Sequence, residues 1–292
     1  MEKEKELFTA YEIIKAIRNY GNDINTLSKE TNIPKETIRY WFKEKKIELY
    51  PIINYHALGL NRLHAFFEPK DIRIAEELEN EKYCSKKEIF ENGEIHLILF
   101  SSRKVPVKDN FLKTREVKMR NEYTGKINYS GWLKEFEGKK DELFYPEQEV
   151  KVDEIDKIIL KNPFKKNVEI AGEYNLDKNV LGYHKKRHVK NKLILGYDAT
   201  YSGLPKTHLC VMDFDSERSM YNIIYSLSKE PFVQGLETVY DEKKVLANLS
   251  LEDESEFLEY LYELVKKDVI KNFKMNKISK SNFLRYLPDS YF

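Results

Sequence analysis

Two stretches of this chain lie 143 positions apart and carry one pattern. Glu173, Asn175, Lys178, Tyr183 and Lys186 fall on Glu30, Asn32, Lys35, Tyr40 and Lys43, and Ile170, Leu176 and Leu181 fall on Leu27, Ile33 and Ile38. Identities that travel with matching apolar positions imply a duplicated unit, so the chain divides into two like halves of ordinary domain size. The expected organisation follows the repeat.

In the first copy, Leu7, Tyr11, Ile14 and Ile17 recur at helical spacing and stop at Gly21, a helix-closing residue. Asp23 or Asn25 caps a second helix carrying Ile24 and Leu27, and Asn32 with Ile33-Pro34 breaks the chain before a third. That third helix, expected from Lys35 to Lys46, turns Ile38, Trp41 and Phe42 inward and Lys35, Glu36, Arg39, Tyr40 and Lys43 outward. In the second copy Asp177 caps a helix with Val180, Leu181, His184 and His188 at helical spacing on one side. From Lys178 to Lys192 there are six Lys and Arg and no Asp or Glu, in a chain of formal charge +1. Such a local basic helix suits a polyanion.

Both third helices share Thr/Val, Ile/Leu, any residue, Tyr, Trp/His: Thr37-Ile38-Arg39-Tyr40-Trp41 and Val180-Leu181-Gly182-Tyr183-His184. This resembles the recognition helix of prokaryotic winged helix-turn-helix regulators. The continuation Lys46 to Gly59, echoed by residues 193 to 203, resembles the leucine-responsive (Lrp/AsnC) family, although Lys45 and His188 stand where an aliphatic residue is usual. The resemblance implies a double-stranded DNA-binding transcriptional regulator. Its contact residues are expected to be Lys35, Glu36, Arg39, Tyr40 and Lys43 in one half and Lys178, Asn179, Tyr183, Lys185, Lys186, Arg187 and Lys190 in the other. Arg39 faces Gly182 across the repeat, and arginine is the commonest reader of guanine, so the two helices should read unlike half-sites.

After each helix-turn-helix the pattern reads strand, helix, strand, strand, helix, strand, the ferredoxin-like split unit. In the first half the expected strands are Leu63 to Phe67, Tyr83 to Ile89, Ile95 to Phe100 and Tyr123 to Tyr129, with helices from Ile72 to Leu78 and Val107 to Lys118. Asn92-Gly93 marks the hairpin. In the second half they are His208 to Phe214, Phe232 to Tyr240, Lys243 to Leu249 and Phe273 to Ile278, with helices from Ser219 to Leu227 and Glu252 to Lys271, the latter capped by Ser250. The expected fold is therefore α+β: two winged helix-turn-helix domains (1–58 and 153–203) alternating with two ferredoxin-like βαββαβ domains (59–130 and 204–292), joined by a packed connector at 131–152. In the resembling family such sheets sense a small effector and pair subunits, which makes a homodimer through them an expectation here. The Gly- and Asp-containing loop that would bind the effector is not recognisable in either half, and the effector stays unassigned.

Hydrophobic residues at 41% and charged residues at 34% suit a well-solvated chain with real cores. No apolar run approaches a membrane span, and the charged start Met-Glu-Lys-Glu-Lys-Glu-Leu lacks the apolar centre of a secretory signal. Cytoplasmic residence is expected, and an abundance of Lys, Glu, Ile, Asn and Tyr with few Gly and Pro resembles an AT-rich or heat-loving, archaeal-type proteome. Cys84 and Cys210 fall in expected strands as free thiols.

Two other readings stand beside the regulator. The leucine-responsive fold also resembles the siroheme decarboxylases, which keep a helix-turn-helix and act on a tetrapyrrole held by His and Arg. Here the histidines are His56, His64, His96, His184, His188 and His208. His184 and His188 have a helical ligand spacing, yet no third ligand is evident, so neither metal, cofactor nor catalysis is expected. The other reading is an adaptor that uses its winged helices on protein. Lys274, Lys277, Lys280 and Arg285 among Phe283, Tyr286, Tyr291 and Phe292 form a basic and aromatic tail that suits a single strand, a partner, or its own domain.

Overall fold

A computed structural model describes residues 2–44, 46–80, 83–103, 111–119, 136–203, 207–230, 232–251, 253–284 and 286–287. The chain begins with helices α1 (Glu2–Tyr20), α2 (Ile24–Thr31) and α3 (Lys35–Lys43), then strand β1 (Ile47–Ile53). The first sheet half is β2 (Leu60–Phe67), α4 (Ile72–Asn80), β3 (Cys84–Phe90), β4 (Ile95–Ser102) and β5 (Leu112–Glu116). The second three-helix unit is α5 (Glu154–Lys161), α6 (Asn167–Tyr174) and α7 (Lys178–His184), followed by β6 (Ile194–Tyr201). The last section is β7 (Thr207–Asp213), α8 (Glu217–Leu227), β8 (Val233–Val239), β9 (Lys244–Ser250), α9 (Glu254–Lys266) and β10 (Asn272–Phe283).

Local chemistry sets the helix ends. Asp23 accepts from the Thr26 amide at 2.8 Å, and Asp177 accepts from the Asn179 amide at 2.5 Å. Asn32 and Asn175, equivalent across the repeat, both leave their helix in the left-handed region, at φ 58° and 52°. Asparagine tolerates that conformation better than most other side chains. Equivalent apolar residues are equally buried: Leu27 and Ile170 at one position, Ile38 and Leu181 at another, are fully inaccessible.

The wings of the two halves meet each other. β1 and β6 form an antiparallel two-stranded ribbon from Ile47 opposite Tyr201 to Ile53 opposite Ile194. The first three-helix unit packs Trp41 against Tyr201 with ring centroids 5.5 Å apart, whereas the second buries Ile53 and Ala57 from the first half.

The main departure from expectation is in the sheets. Instead of two separate ferredoxin-like domains, the eight strands close into one barrel in the order β10, β3, β4, β2, β5, β8, β9, β7. One seam is β5 against β8, from Thr114 opposite Val239 to Glu116 opposite Glu237. The other is β10, whose first part pairs with β7 and whose second part pairs with β3. The sheet edges through which a homodimer is expected are consumed inside the chain. Residues 112 to 116, read as part of a helix, are strand β5, because Leu112, Thr114 and Glu116 alternate inward and the strand supplies one seam; the strand expected at 123 to 129 lies outside the described residues. α9 is shorter than expected and is capped by Asp253, not Ser250, which ends β9. The basic tail is largely β10, with Lys274 paired to Glu94 at 2.7 Å and Lys277 to Glu91 at 2.6 Å; Arg285, Tyr291 and Phe292 lie outside the described residues.

Outside the barrel, α8 and α9 cover β7 to β9 through Ile223, Leu227, Phe257 and Leu261, and α4 covers β2 to β4 through Ala75 and Leu78. Phe144 of the connector joins the first of these cores, Asn92-Gly93 makes the hairpin with Gly93 at φ 84°, and both cysteines are buried and free. Among the described residues no helix is long and apolar enough to cross a membrane.

Candidate active site inside the barrel

Inward residues on a strand recur every second position, so the barrel interior is built in layers. Phe90, Leu209, Val239 and Leu246, with Leu112, Val211 and Ile278 against them, make an apolar plug at one end. Two residues on from Phe90, Leu112 and Val239 the side chains become polar, Glu88 on β3, Thr114 on β5 and Glu237 on β8, and His64 on β2 and His96 on β4 join them. The next step gives Lys86, Arg62, Ile98, Glu116 and Gly235. Above these is a cavity of about 670 Å³, to which all eight barrel strands contribute and which the β1/β6 ribbon covers with Tyr50, Ile52 and Asp198. This volume lies within the range of sites for sizeable organic ligands.

The polar layer is one connected line. Glu88 Oε2 meets His96 Nδ1 at 2.9 Å, His96 Nε2 meets His64 Nδ1 at 2.8 Å, and His64 Nε2 meets Glu237 Oε2 at 2.9 Å. Thr114 donates to the same Glu237 oxygen at 2.5 Å. Arg62 spans Glu237 at 3.0 Å and Glu116 at 2.6 Å, and Lys86 pairs with Glu88 at the far end. Glu88, His96, His64 and Glu237 are all buried.

Burial opposes ionisation of Glu88, but Lys86 and the His96 hydrogen bond outweigh it and hold the carboxyl well below its usual range. Burial opposes ionisation of Glu237 too, and there Arg62, His64 and Thr114 win. Both carboxylates therefore accept. Burial pushes His96 down, so His96 stays neutral, donating from Nδ1 to Glu88 and accepting at Nε2. His64 continues the line, with Nδ1 toward His96 and Nε2 toward Glu237. Glu116 behaves oppositely: burial, with Glu237 and Asp198 adding to it, outweighs Arg62 and pushes its carboxyl up to about 7. It is the acid of the cavity wall that exchanges a proton near neutrality.

The cavity is also unsatisfied. Both side-chain amide atoms of Gln234 and Oδ1 of Asn248 are buried and find no hydrogen-bond partner among the described residues. Both residues line the cavity. The ribbon is pinned over the mouth by Arg18 of α1, which donates to Asp198 at 2.6 Å and to the Val233 carbonyl at 3.3 Å. Burial works against the Arg18 charge, and Asp198 outweighs it.

The residues expected to touch DNA are elsewhere. Lys35, Glu36, Arg39, Tyr40 and Lys43 are exposed on α3, with Arg39 ion-paired to Glu36. Lys178, Asn179, Tyr183, Lys186, Arg187 and Lys190 are exposed on and after α7. Lys185 is half-buried, its ammonium 3.3 Å from the Lys165 carbonyl, and burial pushes its pKa down. Val180, read as sharing one side of the helix with Leu181, is 41% exposed, whereas Leu181 is buried. The interior line was not singled out in the sequence. Its signal was polar side chains at alternate positions of otherwise apolar strands, as in Arg62-Leu63-His64-Ala65; β3, β4 and β2 pair within the first half, and only the β5–β8 seam brings Glu237 to them.

No known family profile matches the sequence, and no curated protein matches it. Among solved structures, that of the siroheme decarboxylase NirDL aligns with 95% of this chain and 93% of its own at 12% identity and a TM-score of 0.57. Its co-complex with an iron-uroporphyrin III analogue gives 96% and 95% coverage, 11% identity and the same TM-score. Escherichia coli AsnC aligns with 48% of this chain at 10% identity and a TM-score of 0.37. The expectation that the chain is not an enzyme is thereby overturned: solved structures that align with nearly all of it are those of an enzyme, and their fold is shared.

Proposed function

We propose that the chain is a catalytic protein of the siroheme decarboxylase type, acting on a large carboxylate of tetrapyrrole size inside the barrel, and that its halves arose by duplication. The observation that carries this reading is the buried charged line ending at Arg62 and Glu116 in the cavity wall. A protonated Glu116 no longer needs Arg62, whose Nη1 is then available to a substrate carboxylate while Nη2 stays on Glu237. Loss of CO₂ leaves an electron pair on carbon that must take a proton, and Glu116 in its acid form is placed to give it. His64 and His96 position Glu237, and through it Arg62, without touching substrate.

The lining limits the substrate. Glu48, Glu88, Glu116, Asp198 and Glu237 face Arg62 and Lys86, so acids outnumber bases. A ligand with one or two carboxylates fits this field better than one with many. The test is to titrate the protein with a porphyrin dicarboxylate and an octacarboxylate, following the visible band, and to examine the bound product by mass spectrometry for CO₂ loss. Tighter dicarboxylate binding that weakens at least about tenfold in Arg62→Met supports the reading. Absence of binding to either, or binding indifferent to Arg62, sinks it.

DNA binding by α7 is a second reading, favoured by the exposed cations Lys178, Lys186, Arg187 and Lys190 around exposed Tyr183. On this reading Lys186→Ala weakens binding to all sequences and flattens the salt slope, whereas Arg39→Ala relaxes preference at one half-site. Equal effects on specific and random DNA would count against it. The two readings are compatible, since the cavity and the two helices occupy different parts of the chain.

A further inference from the structure

We propose that the second three-helix unit holds a divalent first-row metal ion, with Zn²⁺ the best fit, through Asp153, Asp156, His184 and His188. Their ligand atoms all lie within 4.8 Å of one another. His184 Nδ1 is 3.0 Å from Asp156 Oδ1 and 3.5 Å from Asp153 Oδ1, and His188 Nδ1 is 3.4 Å from Asp156 Oδ2. A tetrahedral ion bound at the usual distances of about 2.0 to 2.1 Å separates its ligands by roughly 3.3 Å. Three contacts among the two imidazole nitrogens and the carboxylate oxygens are thus already near that spacing, and no ligand atom of the four lies more than 4.8 Å from another.

The repeat shows that these four residues are peculiar to this half. Shifted back by 143 positions they fall on Ala10, Ile13, Trp41 and Lys45. Ala10, Ile13 and Trp41 are buried apolar core in the first unit. In the second unit the same places hold a carboxylate that is fully buried, Asp156, and its neighbours. A buried charge is costly unless paired or bound to metal. The backbone also adapts: after α7 the chain enters a π-turn over Lys185–Val189, closed by the Lys190 amide on the Lys185 carbonyl at 2.9 Å, and the two imidazole rings lie 4.7 Å apart. Such turns gather in functional places. Asp156 is held in place by the Asp153 amide at 3.3 Å, while half-exposed Asp153 and His188 leave a way in for the ion. The sequence hid the site because its third and fourth ligands are the cap and first turn of α5, over twenty residues upstream.

Bound metal would fasten the start of α5 to the end of α7 and fix the basic helix on its unit. The inference does not depend on the barrel reading. The test uses the full chain, freed of metal by chelation, with Zn²⁺ alone followed by calorimetry and Co²⁺ alone followed by visible absorption. One Zn²⁺ per chain and intense tetrahedral Co²⁺ bands are expected, with affinity falling at least about tenfold in His188→Gln. Asp153→Asn keeps the helix cap while removing a ligand charge, so it should weaken binding with the fold intact by circular dichroism. Weak octahedral-type Co²⁺ bands, or Zn²⁺ affinity unchanged in both variants, would overturn the proposal and leave Asp156 as a plain acceptor for two imidazoles.

Discussion

Glu116 and its neighbours show how the same few charges fix both stability and binding. Because its carboxyl is pushed up from 4.5 to about 7, the folded chain holds a proton there that the unfolded chain has released. Stability contributed by this site is present at low pH and is lost as pH rises from about 4.5 to about 7. Glu116→Gln, which can still accept from Arg62, should therefore flatten that fall, by an amount on the order of 2 kcal/mol in urea denaturation compared at pH 5 and pH 8. An unchanged slope would remove Glu116 from the role of titrating acid. Glu88 and Glu237 have the opposite sign. Their depressed values stabilise the fold above the ordinary carboxylate range, and this is lost as pH falls below it, so His96→Phe, which strips Glu88 of its donor, should cost about 3 kcal/mol at neutral pH.

At the scale of elements, Asn175 tests how the repeat is written into backbone geometry. It sits at φ 52° after α6, and an ordinary side chain there costs about 1 to 2 kcal/mol. Asn175→Ala should lose about that much in thermal unfolding, whereas Asn175→Gly should be close to neutral. The same elements show what the sequence could and could not express. The three-helix units were legible because caps and apolar spacing are local: Asp23, Asn32, Asp177 and Asn175 each act within a few residues. The second sheet half was legible for the same reason, strand by strand. Residues 112 to 116 were misread because the inward set of this short strand, Leu112, Thr114 and Glu116, contains a single apolar residue and so shows no hydrophobic alternation. The seams between halves have no local signature, since β5 finds β8 more than a hundred residues away. Glu237 reaches the line only across that seam, and although Arg62, His64, His96 and Glu88 lie on strands paired within the first half, the sequence offered all five only as scattered polar residues.

For the whole molecule, closure of the barrel is the condition for everything inside it. β10 is the clasp, pairing from Asn272 to Lys277 with β7 and from Ile278 to Phe283 with β3. Its second part also supplies Ser281 and Phe283 to the cavity wall. Deleting residues 278–292 should leave the β7 pairing in place but strip β3 of a neighbour, exposing backbone donors and acceptors from Lys86 to Phe90. Two results are expected together: association of the truncated chain through the bared edge, seen as a concentration-dependent shift in gel filtration, and loss of porphyrin binding by the cavity. Association without loss of binding would mean that the Glu88 to Glu116 line keeps its shape without the clasp, and the cavity would then owe its form to the Arg18 and Asp198 pin at the opposite rim. The first outcome makes the barrel one cooperative body, in which the two halves contribute unlike walls to a single site, Glu88, His96, His64, Arg62 and Glu116 from one and Glu237, Gln234 and Asn248 from the other. The two halves thus supply unlike inner walls, while outside the barrel each leaves its second helix through a left-handed asparagine, Asn32 in one and Asn175 in the other.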